Sequence, residues 1–478
     1  MIKKLREVKS FEHDFVIIGA GPAGITVALE LEKYKKTVLL LEGGGLEYSK
    51  DSQSIYKGQV AGDENFSVKN SRLRYFGGSS NHWGGMCRPF SRSELSAFPI
   101  DKQDLDTHLS AACRILEISD QFKDDIKINE NFERIDFKFS PPVRFNAKYK
   151  KSIADSNYID LILNANVVSI NGVYGKVSNI DIYDQNLNRF NLKINKLILA
   201  CGGLENSRLL LWSKYLNKEI FDDLPIGEKW MEHPHFKTGE IILHSSDLEH
   251  VFGKEVSESG THKVFLQPTK LLMKAKDISH AGIRFELYQS KSKLKRIIND
   301  ILCINPEYGK KLVNSLSKKN LMCSAEVSIA WEQLPKDKNR ISLDFLNKDK
   351  FGVPRILLDW SVDYQDKKTA LVCMQQLGKL FLESNIGRVG IFEYLYNQYS
   401  EVDEEYGGAC CVTGGHHMGG TPMGVTADSG VVDSNLKVFN VDNLWIGGSS
   451  IFPSGGHVNP TLTIVQFALR LGRHLSDS

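Results

Sequence analysis

Phe15-Val16-Ile17-Ile18-Gly19-Ala20-Gly21-Pro22-Ala23-Gly24 sets four apolar residues against three glycines, and a helical pattern follows to about Tyr34. This is the sequence of a strand, a glycine turn and a helix. Gly19 permits the tight turn, Gly21 lets the backbone approach a pyrophosphate, and Gly24 lets the helix pack closely on the strand. A second apolar run, Thr37 to Leu41, ends in Glu42, about 20 residues on, where a carboxylate accepts the hydroxyls of a ribose. The context rather than the glycine pattern alone makes this a dinucleotide site.

At the other end, His416-His417-Met418-Gly419-Gly420-Thr421 places two histidines before a glycine turn, and His457-Val458-Asn459-Pro460-Thr461-Leu462 opens the last helix. Asn459 reads as the N-cap and Pro460 as the first helical residue. Free N–H groups and the positive helix end then favour negative charge on a ligand. A neutral histidine can take an alcohol proton near neutral pH. Asn459, a neutral donor and acceptor, can orient the same hydroxyl.

Four segments together resemble the glucose-methanol-choline (GMC) flavoprotein oxidoreductases over essentially the full chain. They are the amino-terminal fingerprint with Glu42, the run Tyr75-Phe76-Gly77-Gly78-Ser79-Ser80-Asn81-His82-Trp83-Gly84-Gly85, the run Ala200-Cys201-Gly202-Gly203-Leu204-Glu205-Asn206-Ser207-Arg208, and the block from His416 onward. Within that family the carboxy-terminal block is most similar to the sugar-oxidising branch that includes pyranose oxidases. Asn206-Ser207 stands where many members have Ser-Pro, and Gly447-Gly448 lacks the nearby aspartate of many relatives.

The resemblance implies an α/β fold: a Rossmann-like FAD-binding domain with a second α+β substrate domain built on an antiparallel sheet. It implies FAD, held by Gly19, Gly21, Gly24, Glu42, Gly78, Ser79, Asn81, His82, Trp83, Val167, Gly202, Asn206, Gly448, Asn459, Pro460 and Thr461. Relatives with histidine at the place of His82 attach the flavin covalently, and others with the same loop bind it noncovalently; both remain open here. The implied reaction is oxidation of a CH–OH group, a secondary hydroxyl of a sugar or glycoside, with hydride passing to flavin N5. His417 is the expected base and Asn459 its partner, with His416 competing for the first role. The electron acceptor is oxygen or a separate carrier. A flavin-containing lyase or an inactive flavin-binding relative are the alternatives.

The expected boundaries are residues 1–235 with 408–478 for the FAD-binding domain and 236–407 for the substrate domain. The latter carries strand patterns at Thr238 to Leu243, Lys263 to Thr269, Met322 to Ile329, Arg340 to Asp344 and Arg355 to Asp359. A lysine-rich stretch near 290–320 reads as a solvated helix face rather than a docking helix. With 60 basic and 58 acidic residues, a formal net charge of +2 gives no bias toward nucleic acid or membrane, so a small-molecule partner is expected.

No stretch approaches the ~18 apolar residues of a membrane helix, and Met1 to His13 is too polar for a signal peptide. A cytoplasmic location is the resulting expectation. The 8 cysteines, Cys410-Cys411 among them, read as ordinary small core residues. No zinc site is expected, because the histidines have no acidic or cysteine partner at ligand spacing in the sequence.

Overall fold

The computed structural model describes residues 1–62, 67–122, 125–173, 175–221, 223–243, 254–257, 260–287, 324–396 and 414–477. The lysine-rich stretch near 290–320 and Cys410-Cys411 lie outside the described residues. The four longest helices among the described residues are α1 (Pro22–Lys33), α2 (Gly202–Leu216), α3 (Tyr364–Glu383) and α4 (Thr461–Ser476).

The expected α/β architecture is present. Phe15–Ile18 is the centre of a five-stranded parallel sheet, flanked by Val38–Leu41 and then Ile159–Ile162 on one side, and by Lys196–Leu199 and then Leu444–Ile446 on the other. The four residues of Phe15–Ile18 are all buried, as a parallel strand covered on both faces requires. Helices α1 and α4 pack on each other, and Gly472 of α4 lies so close to α1 that an added Cβ would come within 2.7 Å of Glu30 Cβ. The strand drawn from residues 444–446 ties the carboxy terminus into the dinucleotide fold.

The second body is a nine-stranded, largely antiparallel sheet that contains His235–Leu243, Ser324–Trp331, Ala281–Leu287 and Gly260–Pro268. Phe132–Phe139 and Met86–Cys87, well before residue 236 in the chain, also enter it. Helix α3 covers one face with Ala370, Cys373, Met374, Leu377 and Phe381. Its capping box, in which the Asp363 and Asp366 side chains accept each other's backbone N–H, sets where it starts. The strand-rich reading of residues 236–407 did not include this helix.

The hairpin Arg340–Lys348 and Pro354–Trp360 departs from expectation as well. It forms a separate three-stranded sheet with Gly58–Gly62 rather than joining the large one. Arg208 of α2 fastens its turn: the guanidinium donates to Asp349 Oδ2 at 2.7 Å and to Pro354 O at 2.8 Å.

Candidate active site

A cavity of about 580 Å³ runs from Gly19, Gly21 and Glu42 to His416, His417 and Asn459. Three helices point their first turns at it, since Pro22 and Ala23 of α1, Gly202 and Gly203 of α2 and Thr461 of α4 all line its wall. Each start leaves N–H groups without intrahelical partners and carries the positive end of the helix dipole, so the cavity favours an elongated, negatively charged ligand.

The glycines explain how a ligand could come close. Gly19 has φ +103, and a Cβ there would sit 2.4 Å from Ala200 O. Gly21 meets nothing within 4 Å, leaving its face open to the cavity. Gly24 does not line the cavity; its missing Cβ would lie 1.9 Å from Gly19 O, so it closes the turn onto the helix. Glu42 lines the wall with its carboxylate already held, accepting from Ala20 N–H at 3.0 Å and Gly44 N–H at 2.8 Å. Lone pairs remain for hydroxyl donors. The donor set and the open cradle fit a dinucleotide.

Among the other expected flavin contacts, Gly78, Ser79, His82, Trp83, Gly202, Gly448, Asn459, Pro460 and Thr461 line the cavity. Asn81, Val167 and Asn206 do not. Asn81 donates to Phe76 O at 2.9 Å and braces its own loop. Val167 pairs with Ile182 in a separate three-stranded sheet. Asn206 is fully buried, donating to Gly447 O and Ser450 Oγ and accepting from Cys201 N–H, which locks α2 to the loop after residue 446.

Asn459 is not the helix cap that its place before a proline suggested. The cap is Pro460, with φ −74 and ψ −15, and α4 starts at Thr461. The side chain of Asn459 is thereby released toward the histidines.

The two histidines are sorted by backbone pairing. Met418 and Met231 exchange both backbone hydrogen bonds, at 3.0 and 2.8 Å, which sets residues 414–418 antiparallel to 231–233. In extended chain successive side chains point to opposite sides, so His416 stands across from His233 and His417 across from Glu232. Asn459 Nδ2 donates to His416 Nε2 at 3.1 Å, His416 Nδ1 lies 2.8 Å from His233 Nδ1, and His233 Nε2 lies 3.1 Å from Gly455 O. Neutral rings satisfy this row in one way. His416 carries its proton on Nδ1 and gives it to His233, His233 carries its own on Nε2, and His416 Nε2 is left bare toward Asn459 and the cavity.

The expected partner of Asn459 was His417, and the structure puts it elsewhere. His417 Nε2 is 3.0 Å from Ser71 Oγ, Nδ1 is 3.8 Å from Glu232 Oε2, and the ring stacks on Trp230 at 5.7 Å. Burial holds all these rings neutral: His417 is lowered to about 3 and His233 to about 4, while His416 falls well below the ordinary range through burial and the neighbouring His233 and His417. Glu232 moves the other way. Burial pushes its carboxyl up to about 8 even though Oε1 accepts the N–H groups of His233 and His416.

Ser71 and Glu232 escaped the sequence reading. Glu232 opens Glu232-His233-Pro234-His235, and an acid beside two histidines is a signal, but its facing His417 depends on a strand register invisible in one segment. His457 does not line the cavity and faces Glu94 instead.

Residues 335–468 match the family model of the GMC oxidoreductases. The fructose dehydrogenase large subunit of Gluconobacter japonicus is 21% identical over 335 residues, 68% of this chain and 55% of that protein. The pyranose 2-oxidase of Tricholoma matsutake is 42% identical over 55 residues, 12% of this chain and 10% of that one. The chain thus spans about half the length of the first relative and a tenth of the second. Among solved structures, pyridoxine 4-oxidase from Mesorbium loti superimposes with a TM-score of 0.60 at 14% identity, covering 98% of this chain and 100% of that one, and so shares the fold. Residues 335–468 thus carry a GMC oxidoreductase domain, set in a fold shared with pyridoxine 4-oxidase over nearly the whole chain.

Proposed function

We propose that the protein is an FAD-dependent oxidoreductase that converts a CH–OH group, a secondary hydroxyl of a sugar or glycoside, to a ketone. The observation that carries this reading is the row Asn459, His416, His233, Gly455 O at one end of a cavity whose other end is built for a dinucleotide. Gly19, Gly21, Glu42, Gly202, Gly448 and Thr461 would hold the FAD, which when bound supplies the hydride acceptor.

His416 Nε2 is the base in this proposal. It is unprotonated at neutral pH and faces the cavity beside an amide donor, so a substrate hydroxyl entering between them meets an acceptor and a donor together. Asn459 orients the hydroxyl oxygen and supports negative charge as the proton leaves, without the charge that a carboxylate would add. His233 accepts from His416 Nδ1–H and stabilises the imidazolium that forms. Glu232 and Ser71 hold His417 against the other side of the same segment, which fixes the backbone that presents His416.

The sugar class rests on the two relatives, which are named for fructose and pyranose substrates. Trp83 on the cavity wall, with its indole N–H given to Val143 O at 2.8 Å, offers a fixed aromatic face beside the polar groups. The test is the visible spectrum of the purified protein, taken anaerobically before and after addition of sugars and glycosides. Bleaching of a flavin spectrum by one of them supports the proposal. Turnover without bleaching points to a lyase, a flavin that no alcohol reduces points to an inactive relative, and protein that binds no flavin after reconstitution overturns the reading.

A further inference from the structure

Beyond the cavity, Glu94, His280 and His457 converge from three distant parts of the chain. One ligand atom from each lies within 4.8 Å of the other two. His457 Nδ1 is 3.0 Å from Glu94 Oε1, with side-chain exposures of 1% and 2%. Neither ring nitrogen of His457 has a hydrogen-bond partner, so the approach to Glu94 has the distance of a bond without its direction. The His457 and His280 rings lie parallel at 8°, with centres 6.1 Å apart.

Glu332 completes the surroundings. It is buried, and it accepts from Gly456 N–H at 3.2 Å and His280 N–H at 3.4 Å. Glu94 and the two imidazoles thus surround one spot, with Glu332 held beside it, and a buried imidazole with no well-directed hydrogen bond on either nitrogen is rare in a folded protein. Sequence spacing concealed the cluster, because Glu94 and His457 are 363 residues apart.

We propose that Glu94, His280 and His457 bind a divalent cation of the zinc class at a structural site. Two imidazoles with a carboxylate form a nitrogen-rich set that suits zinc over calcium or magnesium. Tetrahedral donors around zinc stand roughly 3.4 Å apart, and the Glu94–His457 pair is already that close.

The cation would fasten residues 454–457 to the rest of the molecule. Ser454 Oγ donates to Glu94 O at 3.1 Å, His457 N–H to Glu94 Oε1 at 3.1 Å, and Gly456 N–H to Glu332. Gly455 O receives the last bond of the histidine row, and Asn459 comes two residues after His457. The site would therefore position both ends of that row from outside the cavity.

The experiment strips the full-length protein of metal, measures zinc uptake by equilibrium dialysis with elemental analysis, and follows the melting temperature with and without zinc. Expected are about one tight equivalent per chain, a zinc-dependent rise in melting temperature, and loss of both in His280→Ala and Glu94→Gln. Flavin content reports whether each variant is folded. Wild-type protein that takes up no zinc overturns the proposal whatever the variants do, and so does uptake that survives in both folded variants.

Discussion

Asn459 Nδ2 donates to His416 Nε2 at 3.1 Å, although Asn459 and His416 are 43 residues apart and His417 stands next in the chain. In the proposed reaction this contact marks His416 Nε2 as the proton acceptor. Replacing His416 with alanine is expected to slow anaerobic flavin reduction by about 10² to 10⁴, the usual contribution of a positioned base. Asn459→Ala is expected to lose roughly 10², as when one donor to a developing oxyanion is removed. His417→Ala should act mainly on stability, since its ring is committed to Ser71 and Trp230. Stopped-flow reduction at saturating substrate separates the cases; a larger rate loss in His417→Ala than in His416→Ala would move the base to His417.

The parallel fold was legible because its signals are local: a buried apolar strand, glycines at fixed offsets and a terminal carboxylate all fall between Phe15 and Glu42. The cavity ends could be read for the same reason. Which of two adjacent histidines turns inward could not, because that choice is set by the pairing of Met231 with Met418, 187 residues away. Asn459 misled as a cap for a related reason. An Asn-Pro pair fits the start of a helix equally well with asparagine capping or with asparagine turned into a pocket, and only its neighbours in space decide.

The buried titratable groups predict a stability maximum near pH 6.5. His233, His235, His416 and His417 all have folded values below the ordinary 6.5, with His233 and His235 at about 4 and His417 at about 3. Below pH 6.5 the unfolded chain binds protons that the folded chain refuses, so their stabilisation is complete above 6.5 and declines as pH falls toward 4 and 3. Each such group adds a slope of up to about 1.4 kcal/mol per pH unit. Glu232 has the opposite sign: its folded value of about 8 exceeds the ordinary 4.5, so its contribution is complete below 4.5 and lost as pH rises through 8. Melting temperatures across pH 4 to 9 should fall on both sides of the maximum, and Glu232→Gln should remove the decline it contributes between pH 4.5 and 8, which flattens the curve above 6.5. A Glu232→Gln curve parallel to wild type between pH 4.5 and 8 would show that the carboxyl is ionised in the folded protein.

Arg208 and Asp349 form a buried ion pair at 2.7 Å, with side-chain exposures of 4% and 2%. Removing one partner leaves a charge without water or counter-ion, a loss of about 3–5 kcal/mol. Arg208→Ala should therefore destabilise strongly, while Arg208→Ala with Asp349→Ala should recover part of the loss. Denaturant midpoints give both values, and a double variant no more stable than the single one would mean that the bonds of Arg208 to the Val353 and Pro354 carbonyls, rather than the ion pair, hold the hairpin.

Gly19 and Gly21 belong to one turn but should fail in different ways, and the contrast tests the cavity itself. Gly19 has φ +103, and a Cβ would meet Ala200 O at 2.4 Å, so Gly19→Ala strains both the backbone and the neighbouring strand end. It should lower stability and flavin content together. Gly21 sits at φ −88 and ψ −171, a conformation alanine adopts freely, and its Cβ would touch no protein atom within 4 Å. Gly21→Ala should therefore melt like wild type without cofactor yet bind FAD more weakly, because the methyl group occupies the space left for the ligand. Fluorescence titration of the apoprotein with FAD, beside its melting temperature, reads the two effects apart. Unchanged FAD affinity in a folded Gly21→Ala protein would place the dinucleotide away from this turn.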